Sequence, residues 1–291
     1  MAAQTSDPQR KVPTRRMSFD ESLEQLPKHF AGDGNLIACH LIAQLSSVFP
    51  DGEDYFVRSV RQFRDQIDDP ELKRQVAGFI GQEAMHGREH RAFNAKLAEL
   101  GYPTKQVEWI TRKGLAIRER IATPKANLAA TAALEHFTAT LAEVVLTDED
   151  TQRALGADAM RDLFLWHALE ESEHKAVAFD VYKAVGGGER TRVITMHVLR
   201  FGFVIGMVAG TFLSLLRDRA TYRRGALRRS WRDLKSSAVM QRAVWVRLRD
   251  YCRHDFHPDD YDTTELVAIW RERLFGENGT LNDKLIGSSA A

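Results

Sequence analysis

Between Asn35 and Ala184 apolar residues recur every three or four positions, and strand-like alternation is nearly absent. The pattern predicts helices, separated where glycine, proline and acidic clusters fall. A first helix covers residues 35–48 and meets Phe49-Pro50-Asp51-Gly52. The next covers 53–67 and ends before Asp68-Asp69-Pro70. Pro50 either kinks one long helix or opens a new one. Residues 71–100 form a long helix that begins just after Pro70, with acidic Glu71 at its positive end, and stops at Gly101. Residues 102–124 read as a connection holding a shorter helix. An alanine-rich helix over 126–146 is broken by Thr147-Asp148-Glu149-Asp150, and a helix over 157–185 is closed by Gly186-Gly187-Gly188. The expected class is all-α, a four-helix bundle over residues 18–190 followed by a helical extension over 191–291.

The polar residues that interrupt the apolar faces carry the chemistry. In LWHALEESEHKAVAFD, residues 165–180, His167, Glu171 and His174 lie at i, i+4 and i+7 and share a helix face. Burying such groups unpaired is costly, and a metal ion is their natural partner. The two halves of the bundle repeat one arrangement. Glu53 is followed thirty residues later by Glu83-x-x-His86, and Glu135 thirty-six residues later by Glu171-x-x-His174. Two lone glutamates plus two Glu-x-x-His units are the ligand set of a di-metal carboxylate bundle. Four carboxylates offset two divalent ions, and imidazoles add nitrogen donors suited to iron. The bland alternative is salt-bridged solvated helix faces. Against it, Ala84, Met85, Leu134, Phe137, Trp166 and Phe179 crowd the candidate ligands.

Other polar residues have weaker claims. His90 lies one turn past His86, placed to be a further ligand or an outer hydrogen-bond donor. His136 points about 100° away from Glu135 and reads as structural. Glu170 and Glu173 point about 100° and 200° from Glu171 and suit hydrogen bonds to a ligand histidine or salt bridges to Arg and Lys. His40 and Cys39 lack partners at ligand spacing and read as core or surface residues.

On these residues the chain resembles the ferritin-like di-iron superfamily. More closely, it resembles a bacterial family of predicted metal-dependent hydrolases. The stretches that carry the likeness are residues 46–61, SSVFPDGEDYFVRSVR; 79–94, FIGQEAMHGREHRAFN; 133–139, ALEHFTA; 165–182, LWHALEESEHKAVAFDVY; and 256–260, FHPDD. The His167-x-x-x-Glu171-x-x-His174 motif is similar to that of p-aminobenzoate N-oxygenase, a di-iron enzyme. The resemblance implies metal ligands Glu53, Glu83, His86, Glu135, His167, Glu171 and His174. It implies two iron ions, with manganese or zinc as alternatives, and O2-dependent oxidation of a small or lipid-like organic substrate. The Pro50-Asp51-Gly52 break beside Glu53 departs from a smooth bundle helix. Di-metal hydrolysis is the alternative chemistry, and non-catalytic iron binding or storage a third.

Composition is that of an ordinary globular protein, with 44% hydrophobic and 28% charged residues and a net charge of +1. The two cysteines are far apart, and reduced thiols are the simplest reading. Residues 1–17 are polar, lack the apolar core of a secretory signal, and read as a disordered lead-in; the expected location is cytoplasmic. Phe201–Leu216 is uncharged and carries glycines at 202, 206 and 210. It is short of the roughly 20 residues of a membrane span. Residues 217–253 follow with twelve Arg/Lys against three Asp, a net +9. Three readings of 201–253 stand open: attachment to an anionic membrane surface, on the inner face for a cytoplasmic protein; a buried helix beside a solvated basic face; or a true span. No nucleic-acid motif accompanies the charge. The oligomeric state is open, a homodimer included.

Overall fold

The computed structural model describes residues 11–287 and is all-helical. In chain order the α-helices are α1 (Asp20–Glu24), α2 (Leu36–Arg61), α3 (Pro70–Glu99), α4 (Thr104–Ile121), α5 (Pro124–Thr147), α6 (Glu149–Ala154), α7 (Asp158–His174), α8 (Val177–Ala184), α9 (Glu189–Leu215), α10 (Ala226–Ser236), α11 (Arg242–Asp250) and α12 (Thr264–Phe275). Helices α2, α3, α5 and α7 form the bundle that surrounds the candidate ligands.

Local chemistry explains the ends of these helices. Asp69 accepts from the Glu71 amide at 2.8 Å ahead of Pro70, and Thr123 accepts from the Ala126 amide at 3.2 Å ahead of Pro124. Gly101 and Gly186 take positive φ and let the next residue reach back: Tyr102 N–H to Leu97 O at 3.0 Å, Gly187 N–H to Tyr182 O at 2.8 Å.

Helix α2 runs unbroken through Pro50, so 35–48 and 53–67 are not two helices. Proline has no N–H for the carbonyl four residues back. Here Asn94 of α3 donates from Nδ2 to Ser46 O at 3.1 Å and supplies the missing bond. Conversely, the helix expected over 157–185 is interrupted at Lys175–Ala176, immediately after His174. Every residue from Leu163 to Tyr182 is buried, so α7 and α8 are the axis of the molecule rather than one of its faces. The connection over 102–124 is almost wholly α4, laid against α2.

Two apolar clusters lie along the bundle, with the polar residues between them. One gathers Phe93, Leu97, Leu163 and Trp166; the other gathers Val76, Phe79, Ala129, Ala133 and Val177. On α3 the residues Glu83, His86 and His90 fall between Phe79 and Phe93, and on α7 Glu171 and His174 fall just before Val177. The centre is therefore a polar layer inside an otherwise dry bundle.

The expected lead-in over 1–17 differs in its described part, and residues 1–10 lie outside the described residues. Residues 11–17 form a strap across α3 and α7. Gly78 and Gly81 of α3 make the approach possible, because a Cβ at either would collide with Val12 or Thr14. Arg15 is buried at its base, and Met17 pairs with Leu285. The reason is electrostatic: Arg15 meets two buried glutamates, so a segment that reads as polar is anchored by its charge.

The candidate metal centre

All seven residues expected as ligands meet in the polar layer, each at most 4% exposed. One ligand atom from each of Glu53, His86 and His167 lies within 4.8 Å of the others, and the same holds for Glu83, Glu171 and His174. Glu135 completes the ring, its Oε2 3.2 Å from His174 Nε2. Glu171, a member of the second group, also reaches the first. Its Oε1 is 2.9 Å from His167 Nε2 and 3.7 Å from His86 Nδ1, while its Oε2 is 3.6 Å from His174 Nε2.

Each of the three histidines is braced on the nitrogen that faces outward. His86 Nε2 is 3.1 Å from Glu170 Oε2. His174 Nδ1 is 2.9 Å from Gln82 Oε1. His167 Nδ1 is 2.7 Å from His90 Nε2, and His90 Nδ1 is 2.8 Å from Ser46 Oγ. With the proton kept on the braced outward nitrogen, each ring would present its inward lone pair to the centre once the inward proton is displaced, the tautomer a metal requires. A further shell fixes the braces. Arg15 donates to Glu170 at 2.9 Å and to Glu173 at 2.8 Å, Gln82 Nε2 donates to Glu173 at 2.7 Å, and Arg271 of α12 donates to Glu173 at 2.7 Å.

His90 thus stands against His167 and Ser46 and outside both three-residue groups. Ser46 also donates to Asn94 Oδ1 at 2.7 Å, so the side chain that compensates Pro50 belongs to the same network as His167. His136 turns away, donating from Nε2 to the Arg247 carbonyl at 2.9 Å among Tyr251 and Phe256. His40 lies at Ser214 and Asp218, and Cys39 and Cys252 are free thiols. Sequence reasoning missed Gln82, Arg15, Arg271 and the Ser46–Asn94 pair. The glycines at 78 and 81 were the available signal for the strap: glycine costs about 1 kcal/mol in a helix interior, and two on one face imply a close neighbour.

The protonation of the layer follows from crowding. Burial, then the carboxylates of Glu83 and Glu171, raises Glu53 well above the ordinary range. Burial and Glu135 push Glu83 up to about 8, and burial and Glu171 push Glu135 up to about 7. Burial also works against ionised Glu171, but His174 and His167 outweigh it and hold that carboxyl low. His174 shows the reverse: burial opposes its charge, and the surrounding glutamates raise it. His86 and His90 are kept neutral by burial, reinforced by His167.

The cluster fits a cation. Both oxygens of Glu53, Glu83 and Glu135, together with Glu171 Oε2, His86 Nδ1 and His174 Nε2, are buried without a hydrogen bond. These atoms converge on one layer, and unsatisfied buried acceptors cost about 1–3 kcal/mol each. Positive charge placed among them satisfies several at once. A prediction follows for pH. In the metal-free protein Glu83, Glu135 and His174 hold protons that the unfolded chain has released, so stability falls as pH rises from about 4.5, where the unfolded carboxyls ionise, to about 8, with His174 adding its share above about 6.5. Each such proton is worth roughly 1.4 kcal/mol per pH unit. A divalent metal competes with those protons, so its affinity rises over the same window. Melting curves with and without metal should therefore separate with increasing pH; a metal-induced rise in Tm that shrinks with pH would contradict the assignment.

Comparison with known proteins agrees with this chemistry. Residues 13–262 match the family described as predicted metal-dependent hydrolase. The chain belongs to that family. The match covers every residue of the polar layer. It includes most of the strap and the helices through α11. Searches of curated proteins and of solved structures give no match.

Proposed function

We propose that the layer holds two transition-metal ions, in a ferritin-like bundle, and that the protein is a dinuclear enzyme oxidising a small or lipid-like organic substrate with O2. The observation that carries this is the donor set: four carboxylates and three outward-braced histidines, buried from four helices. Two iron ions in such a site supply the redox chemistry of O2 reduction.

The chain's own residues supply geometry and a dry wall. Glu53, His86 and His167 suit one ion, and Glu83, Glu135 and His174 the other. Glu171, with an oxygen towards each group, suits the bridge. Four carboxylates against two divalent ions leave the layer near neutral, which lowers Lewis acidity and favours higher oxidation states over water activation. Phe49 packs tilted against His167, and Phe79 and Trp166 pack edge-to-face against His174 and His86, excluding water where charge would develop. Burial at this depth suits a small apolar reactant such as O2.

Hydrolysis is the second reading, and the family description favours it. There, zinc or manganese would activate a water for attack on an ester or phosphoester. One experiment separates the two. Metal content is measured after anaerobic loading with Fe(II), and optical spectra and O2 uptake are followed on mixing with O2. Two irons per chain with a transient absorption and O2 consumption support oxidation. Ester turnover under strict anaerobiosis with Zn(II) or Mn(II) supports hydrolysis. Fewer than two metals per chain with any of these ions would overturn the dinuclear assignment itself.

A further inference from the structure

The strongest unexplained surface lies on α9. This helix packs one side on α2 and α5, through Arg192, Met196, Met207, Thr211 and Ser214, with Gly210 against Gln44. Its other side faces out. Ile194, Val198, Phe201, Ile205, Val208 and Phe212 recur at alternating spacings of four and three and are each 59–66% exposed. Only 22% of the helix's most apolar stretch is buried, so the reading of a buried helix does not hold for it. Because α9 lies lengthwise on the bundle, crossing a bilayer would require it to leave those contacts. A stripe of this length, about five turns, far exceeds the scattered exposed apolar residues normal for a soluble surface.

The charge beside the stripe identifies what covers it. Between α9 and α11 lies a groove of about 410 Å³, lined by Arg200, Phe201, Val204, Arg242, Trp245 and Arg249, with no acidic residue in its wall. Among the described residues, Arg242 and Arg249 take part in no ion pair, and neither do Arg228, Arg229 and Arg232 of α10. Trp231 of α10 is itself 54% exposed among these arginines. Two copies of the chain meeting through this face would press arginines against arginines. A surface that is apolar within and anionic at its boundary matches both features.

We infer that the outer face of α9 and the α9–α11 groove seat the protein on an anionic lipid bilayer, α9 lying in the interfacial plane with the arginines on lipid phosphates and Trp245 at headgroup level. None of these residues belongs to the polar layer, so the inference does not depend on the proposed chemistry.

The test is co-sedimentation of the full chain with phosphatidylcholine vesicles, with and without phosphatidylglycerol. Binding is expected only with the anionic lipid and should fall with added salt. Arg242→Ala with Arg249→Ala should weaken the partition coefficient roughly 30-fold. Phe201→Asp with Ile205→Asp should abolish binding. All four residues are outside the core, so unchanged melting curves check that each variant is folded. No vesicle binding by the wild type, or binding that neither pair alters, would overturn the inference. So would light scattering that shows a lipid-free dimer which Phe201→Asp with Ile205→Asp converts to a monomer, because the face would then belong to a second copy.

Discussion

Substituting Glu171 by glutamine is expected to leave the chain folded but to reduce bound metal to less than about one ion per chain. Activity should fall by more than the ~10–100-fold typical of outer-shell changes. The substitution keeps the volume of the side chain inside a fully packed helix, so no cavity forms. What it removes is charge. Glu171 contacts histidines from both three-residue groups with different oxygens, Oε1 on His167 and His86 and Oε2 on His174, whereas Glu83 reaches His86 and His174 with Oε1. Glu171 is also the one held ionised without metal. Two effects oppose each other in the metal-free protein. His174 loses its best counter-charge, while Glu53 and Glu135 lose a repelling neighbour. The metal-free Tm should therefore move by no more than ~5 °C, and the rise in Tm on adding metal should largely vanish. Calorimetry with metal analysis on the same preparations checks this. A variant that still binds two ions per chain would remove Glu171 from the bridging role and with it the proposed arrangement.

The parts of this site legible in the sequence are those fixed by helical periodicity. Glu83 and His86, or Glu171 and His174, must share a face once their segments are helical, and burial follows from their apolar neighbours. The repeat of that unit in two halves made four bundle helices the economical arrangement. What escaped was long-range. Pro50 marks a break to any local rule, yet α2 continues because Asn94, distant in sequence, bonds the carbonyl that proline leaves free. The interruption after His174 has no glycine or proline to announce it, and every side chain there is buried, so nothing in the local pattern separates α7 from α8. The outward face of α9 was ambiguous because an apolar helix is equally at home in a core or at a lipid surface; only the packing of its other side decides which face is left over.

The strap shows the same limit most clearly, and it yields the other large effect. Arg15→Ala is expected to lower Tm by roughly 10 °C, from the ~3–5 kcal/mol typical of breaking a buried ion pair. Arg15 donates to both Glu170 and Glu173 and covers Phe275, and Arg271 can compensate only at Glu173. Glu170, pushed up to about 8 by burial despite Arg15, already holds its proton at neutral pH and would hold it to higher pH in the variant. The part of the penalty due to Glu170 should therefore be flat up to about pH 8 and enlarge above it, where the wild type releases that proton and the variant must retain it. Arg15→Lys should recover part of the loss, because an ammonium is a point charge that cannot span two carboxylates as a planar guanidinium does. The decisive measurement is the same Tm difference with metal bound. Glu170 braces His86, and Glu173 holds Gln82, which braces His174. If the strap acts on the metal centre through those braces, Arg15→Ala lowers the Tm of the metal-loaded protein more than that of the metal-free protein, and metal affinity drops ~10–100-fold. Equal losses in both states would make Arg15 a structural anchor alone.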